Sequence, residues 1–359
     1  MPHWSQTLTR CMDDLAARID PAEESAIHSA WVNFLDGRCG EEFFVPPART
    51  PRPPKIDWPD VLLNDAIEDY ELMLLSQFRI ASDELTAGSS NCLGVRCNYG
   101  SGILPTLFGC DLFIMPRETD TLPTAVPLHD REKIQAVFDA GVPDFRAGLG
   151  EKVLHCVEQF QAVFEKYPIL KEYVALYHPD WQGPIDIAEV VWGSEIFYAI
   201  FDEPDFVRSF LDLMTQTYAQ SARAWFTRVP PTSNGQPATH WQVMHKGTLV
   251  LREDSLMNLS PETYVDLIRP LDQALFDEFG GGAIHYCGRG EHFIPAMCEM
   301  KGLHGMNLSQ PDMNDMEVIY QNTVDKGIPL LGLDRQEVDR AVKAGRPLRG
   351  WVHTDPAKP

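Results

Sequence analysis

The 359-residue sequence has no run of the ~20 apolar residues that a membrane-spanning helix needs. No basic-then-apolar stretch reads as a signal peptide. Basic residues are scarce: Lys and Arg number 30 against 52 Asp and Glu, giving a formal charge of −22 and a pI near 4.8. A phosphate backbone or an anionic bilayer needs a cationic surface, so neither nucleic acid nor membrane is expected as a partner. No CxxC pair occurs among the eight cysteines, which fits a reducing cytoplasm better than a disulfide scaffold. No GxGxxG follows the first strand and no P-loop occurs, so two familiar phosphate cradles are missing. What remains, 44% apolar and 23% charged, is ordinary globular composition. The expectation is a cytoplasmic protein with a small-molecule substrate.

Hydrophobic periodicity organises the chain into an N-terminal helical extension, residues 1–80, and a larger α/β unit, residues 81–359. Helices are expected over 6–19, 22–35 and 61–78, with a proline-rich connector at 46–59. Strands are expected at 93–98, 112–115, 174–177, 239–244, 248–252, 305–309 and 328–333, and helices at 150–167, 187–199, 204–226, 315–326 and 335–344. A helix opened by Ser260 as N-cap and Pro261 at N1 should kink at Pro270. About eight strand-then-helix units in roughly 260 residues suit a closed (β/α)8 TIM barrel, with an open doubly wound sheet as the rival.

The stretch 280–310, GGGAIHYCGRGEHFIPAMCEMKGLHGMNLSQ, is the chemical focus. After a glycine turn and a short apolar run, His285 and Cys287 stand two residues apart. On a strand, such residues project to one face, so an imidazole and a thiol would point together. A turn at Gly288 and Gly290 and a helix over 291–300 would follow. Parallel α/β folds place their chemistry at the carboxyl ends of strands. By the same placement Asn98, Tyr99, His240, Trp241, Lys246, Arg252 and Asn307 are candidate substrate-binding residues, and Glu253, Asp254 and His245 candidate catalytic ones. Each also has a plainer reading. His285 and Cys287 could line a rim, Glu253 and Asp254 could be a solvated strand end, and Tyr99 with Asn98 could serve a surface turn. Cys92, Cys97 and Cys110 read as buried small apolar residues, and His353 as part of a polar tail.

Several ordered motifs resemble the uroporphyrinogen decarboxylase superfamily. These are the run 182–213 (QGPIDIAEVVWGSEIFYAIFDEPDFVRSFLDL), Arg252-Glu253-Asp254-Ser255 followed by Leu259-Ser260-Pro261-Glu262-Thr263-Tyr264, and Ile284-His285-Tyr286-Cys287-Gly288, with Leu107-Phe108-Gly109-Cys110 before them. The resemblance spans roughly residues 98–333 and implies a (β/α)8 barrel. The arginine-rich signature of true uroporphyrinogen decarboxylases, Arg-Gln-Ala-Gly-Arg, is absent. His-x-Cys-Gly is similar to the methyltransferase branch, in which zinc is held by His-x-Cys and a later cysteine. The resemblance therefore implies zinc at His285 and Cys287, a methylated corrinoid on a partner protein as donor, and a small-molecule acceptor. A homodimer is compatible with it.

This chain departs from that pattern, because Cys298 is its last cysteine. It would sit two turns down the following helix, roughly 10 Å from the strand end at ~1.5 Å per residue. A third ligand would have to come from Glu253, Asp254, His245 or Cys97. Three functions stay open: a zinc-dependent methyltransferase, a metal-free decarboxylase or lyase with Arg96, Arg252 or Lys246 as carboxylate anchors, and a non-catalytic binding barrel.

Overall fold

The structure, a computed structural model, describes residues 4–231 and 236–355. It is a mixed helix-and-sheet protein whose strands are short. In chain order they are β1 (Gly94–Val95), β2 (Leu112–Phe113), β3 (Thr124–Ala125), β4 (Ala175–Leu176), β5 (Ala238–His240), β6 (Val243–His245), β7 (Leu249–Arg252), β8 (Gly282–Tyr286) and β9 (Leu303–Leu308). The parallel ladder β7-β8-β9 is continued by single bridges from Met306 to Leu330, Leu330 to Val352 and His353 to Phe44. β1 pairs with β4, also in parallel. The expected barrel closure is not traced by backbone pairing among the described residues, since none joins Phe44 to β1 or β4 to β7. Along that second gap the free edge of β7 is met differently. The Val250 N–H donates to His178 Nε2 at 3.1 Å, and the Arg252 carbonyl accepts from Gly183 N–H at 2.7 Å.

Strand alternation separates two apolar clusters. Leu249, Leu251, Ile284, Met306 and Leu330 face the helices and join the large core. Val250, Ala283, Leu331 and Phe44 face the other way and form a smaller cluster with Met244. Ile27, Trp31, Phe34 and Leu35, from the helix Pro21–Leu35, fill this inner cluster from one end. Above Val250 and Ala283 on that inner face come Arg252 and His285, which are register partners.

Several expectations need correction. Residues 1–80 are not simply an accessory layer, because Phe44 pairs with His353 and the Pro21–Leu35 helix plugs the inner cluster. His353 is no tail residue; it is buried against Trp31, and its Nδ1 accepts the Gly332 N–H. The strand expected at 239–244 is a hairpin, β5 and β6. Its two-residue loop, Trp241-Gln242, has φ of 45° and 71°, the left-handed values a tight two-residue turn demands. The helix expected at 291–300 shrinks to Ile294–Met297, and the strand at 328–333 to the bridge at Leu330. The chain around Pro270 widens into a π turn over Tyr264–Ile268, which accommodates a residue with no N–H to give.

Candidate metal centre

β7 and β8 stay paired to their ends, where the Glu253 N–H donates to the His285 carbonyl at 2.8 Å. Alternation sets Arg252 on β7 beside His285 on β8 on the inner face, and Asp254, opening the 3-10 turn Asp254–Asn258 after β7, meets Cys287 just past the end of β8. Asp254, His285 and Cys287 bring an oxygen, a nitrogen and a sulfur within 4.8 Å of one another. Cys287 Sγ lies 3.4 Å from His285 Nε2, which lies 3.6 Å from Asp254 Oδ1. Donors held ~2.0–2.3 Å from a tetrahedral centre are about 3.3–3.8 Å apart, so both separations suit zinc. Among the third ligands weighed, Asp254 is the one in place.

The surroundings orient each donor. Asn307 Nδ2 donates to the Leu331 carbonyl at 2.6 Å, which leaves Asn307 Oδ1 facing His285 Nδ1 at 2.5 Å. An amide oxygen only accepts, so Nδ1 carries the proton and Nε2 presents its lone pair to the cluster. Burial lowers the His285 pKa and keeps the ring neutral. Burial pushes the Cys287 thiol up, while the Ser309 hydroxyl, 3.5 Å from Sγ, works the other way by donating to the thiolate. A bound dication would expel the thiol proton. Asp254 Oδ1 accepts the Cys287 N–H at 2.8 Å. Behind it Asp186 accepts the N–H groups of Asp254 and Ser255 at 2.9 and 2.8 Å. Burial, with the Asp254 charge adding to it, raises Asp186 to about 7. The donor set therefore fits zinc: one each of N, S and O, a settled tautomer, and one coordination position not supplied by protein.

A second polar group adjoins the first. Asp180 Oδ2 takes Arg96 at 2.7 Å and Arg252 at 3.4 Å; its Oδ1 accepts Trp241 Nε1–H at 2.8 Å and lies 3.6 Å from His240 Nε2. Burial works to raise the Asp180 pKa, but Arg96, His240 and Arg252 outweigh it and hold the carboxyl below its usual range. The Trp241 ring stands edge-on to His285 at 4.9 Å, with the Arg252 guanidinium 5.5 Å from the indole. The strained turn thus aims one indole at both clusters.

Of the sequence candidates, Asp254, His285, Cys287, Arg252, Trp241 and Asn307 meet here, with His240 and Asn98 at the edge. Asn98 Oδ1 accepts from Arg96 at 2.9 Å. Asn307 has both amide ends engaged, so its place is behind His285 rather than against substrate. Glu253 points to the opposite face, fully buried with Asp272. Tyr99 is buried in the large core, and Lys246 is paired with Asp36 at 2.8 Å. His245 sits apart, its Nδ1 donating to the Lys246 carbonyl, beside a cavity of about 80 Å³ also lined by His178 and His240. Cys97 is buried against the Val153 carbonyl. Sequence reading passed over Asp180, Asp186 and Ser309. Ser309 could have been found by the i, i+2 rule from Asn307 that linked His285 to Cys287.

No protein-family model matches the chain, and no curated protein matches it.

Proposed function

We propose that this protein is a zinc enzyme of the uroporphyrinogen decarboxylase-like kind, moving a methyl group between a corrinoid, or another methyl donor, and a small-molecule acceptor. The fold proposed with it is a closed (β/α)8 barrel. Phe44, β1, β4, β7, β8, β9, Leu330 and Val352 supply eight parallel segments in chain order, and all but two neighbouring pairs are bridged. The remaining gaps lie between Phe44 and β1 and between β4 and β7.

The observation that carries the reading is the convergence of Asp254, His285 and Cys287 at strand ends, with Asn307 fixing the imidazole tautomer. Zinc bound there would act as a Lewis acid that lowers the pKa of a substrate thiol into the neutral range. The chain's own residues do the rest. Cys287 gives up its proton as the metal is held, and Asp254 supplies the second negative charge that a later cysteine supplies in the enzymes the motifs resemble. Trp241 screens one side of the imidazole from water. The partly exposed Cys287 and Asp254 leave the site approachable by a methyl carrier. Corrinoid on a partner protein and a cytoplasmic setting belong to the same proposal. Among the described residues no helix is long and apolar enough to cross a membrane.

Metal analysis tests it. Protein purified after zinc-supplemented growth should hold close to one zinc per chain at this cluster. His285→Ala or Cys287→Ser should strip it. Metal-free wild type, with activity intact in both variants, overturns the reading in favour of a decarboxylase or lyase.

A further inference from the structure

The gap between β4 and β7 is occupied by the hairpin β5–β6. From the β4 side the rings of Tyr177 and His178 lie against His240, each at 4.5 Å between centroids. From the β7 side Met244 joins Val250 in the inner cluster. β5 and β6 pair with each other and, among the described residues, with no other strand. Two strands of three residues, without a third beside them, are marginal structure on their own. Voids run along both flanks. A cavity of about 80 Å³ lies between His240, His245 and Trp225, and a groove of about 270 Å³ between Thr239, Met244 and Lys171. His240 Nε2 is buried with no hydrogen bond, so nothing polar anchors that ring in place.

The tip is what holds the hairpin. Trp241 and Gln242 both take left-handed backbone, which residues other than glycine rarely adopt. Three bonds keep them there. Trp241 Nε1–H donates to Asp180 at 2.8 Å, Gln242 Nε2–H to Glu84 at 3.0 Å, and the Cys92 N–H to the Gln242 carbonyl at 2.8 Å. At the other end Gly247, with φ of 80°, is a glycine joint between β6 and β7. Seated, the indole edge covers His285 at 4.9 Å. Drawn back, it would open His285 towards the smaller void, which has room for two or three waters at ~30 Å³ each. That is the scale of an ion, not of a substrate or a protein carrier.

We infer that β5–β6 is a movable wedge in the β4–β7 gap, and that Trp241, entering and leaving its seat between Asp180 and His285, controls passage of the metal ion to and from the donor cluster. The inference rests on the zinc reading for the ion and on the packing of the hairpin for the movement.

Two measurements test it. Amide hydrogen exchange on the full chain should find residues 238–245 about tenfold or more faster than the ladder residues 249–252 and 282–286. Zinc-loaded protein mixed with excess EDTA should lose its metal about tenfold or more faster in Trp241→Ala than in wild type. Gln242→Cys places a thiol beside the native Cys92. Cross-linked by oxidised glutathione and checked by mass, it should lose zinc more slowly than wild type treated in the same way, and dithiothreitol should restore the rate. Faster loss in Trp241→Ala with no effect of the cross-link would make the tryptophan a static part of the wall and overturn the inference, leaving the zinc reading standing. Equal rates in all three proteins overturn it too. If the protein holds no zinc the zinc reading fails, and hydrogen exchange decides the wedge: hairpin amides as protected as those of β7 and β8 overturn it.

Discussion

At the scale of single residues, Asn307 illustrates how a side chain acts through another. It touches no ligand position, yet it decides which nitrogen of His285 is free. Replacing it with leucine removes the acceptor, and zinc affinity should fall about ten- to a hundredfold in competition with a chelator. Asn307→Asp, which keeps an acceptor at the same place, should fall much less; equal losses in both would mean that the residue only fills space. His285, Cys287, Asp254 and Arg252 were legible in the sequence, because strand alternation alone dictates which residues share a face. Asn307 was misassigned as a substrate contact because the Leu331 carbonyl, on a segment bridged to its neighbours only through Leu330, sets its amide orientation. Asp180 was invisible for a similar reason: a loop after β4 folds it back onto Arg96, just past β1, and Arg252 of β7. Glu253 was overvalued, since it follows the inward-facing Arg252 and is turned to the opposite face, against Asp272.

At the scale of elements, the outward-facing Glu253 meets Asp272 of the helix Arg269–Phe279, and both are fully buried. Burial raises both pKa values, Asp272 to about 8, so the pair holds a proton at neutral pH. A carboxyl whose folded pKa is raised contributes stability below its unfolded pKa, 3.8 for Asp272, and loses it as pH rises through about 8. Buried histidines act on the acid side. Burial holds His178 and His245 at about 4 and His353 at about 3, against 6.5 unfolded. Their contribution is intact above 6.5 and is lost as pH falls towards 3–4. Thermal unfolding across pH should therefore show a stability maximum with two falling sides. Asp272→Asn, an amide needing no proton, should flatten the alkaline side and, because the Asp272 contribution already declines above 3.8, steepen the rise on the acid side. An alkaline slope as steep as in wild type would show that the pair does not titrate there. The hairpin β5–β6 was read as one strand because nothing in Trp241-Gln242 announces a turn; it exists because Asp180 and His285 hold the indole.

At the scale of the whole molecule, helix–strand alternation was enough to place most elements, and the short ladders were not readable because a single bridge has no periodicity. The boundary near residue 80 failed because the proline-rich stretch 46–59 looks like a connector, whereas Phe44 just before it joins the sheet. A chain beginning at residue 81 loses Trp31, Phe34 and Phe44 from the inner cluster and the pairing partner of His353. It should be insoluble or lack cooperative unfolding by circular dichroism, where a truly accessory extension would leave both intact. Burying an aromatic side chain is worth several kcal/mol, and three removed at once is a large share of ~5–15 kcal/mol of total stability. The same plug has a consequence for traffic. Trp31 and Phe34 pack with Val250 and Ala283 and plug the inner face below Arg252 and His285. On the proposed methyl-transfer reading, a small acceptor and a bulky methyl carrier would both approach from the side away from that plug, so the acceptor would have to be seated before the carrier covers it, and excess carrier should slow turnover by shutting the acceptor out.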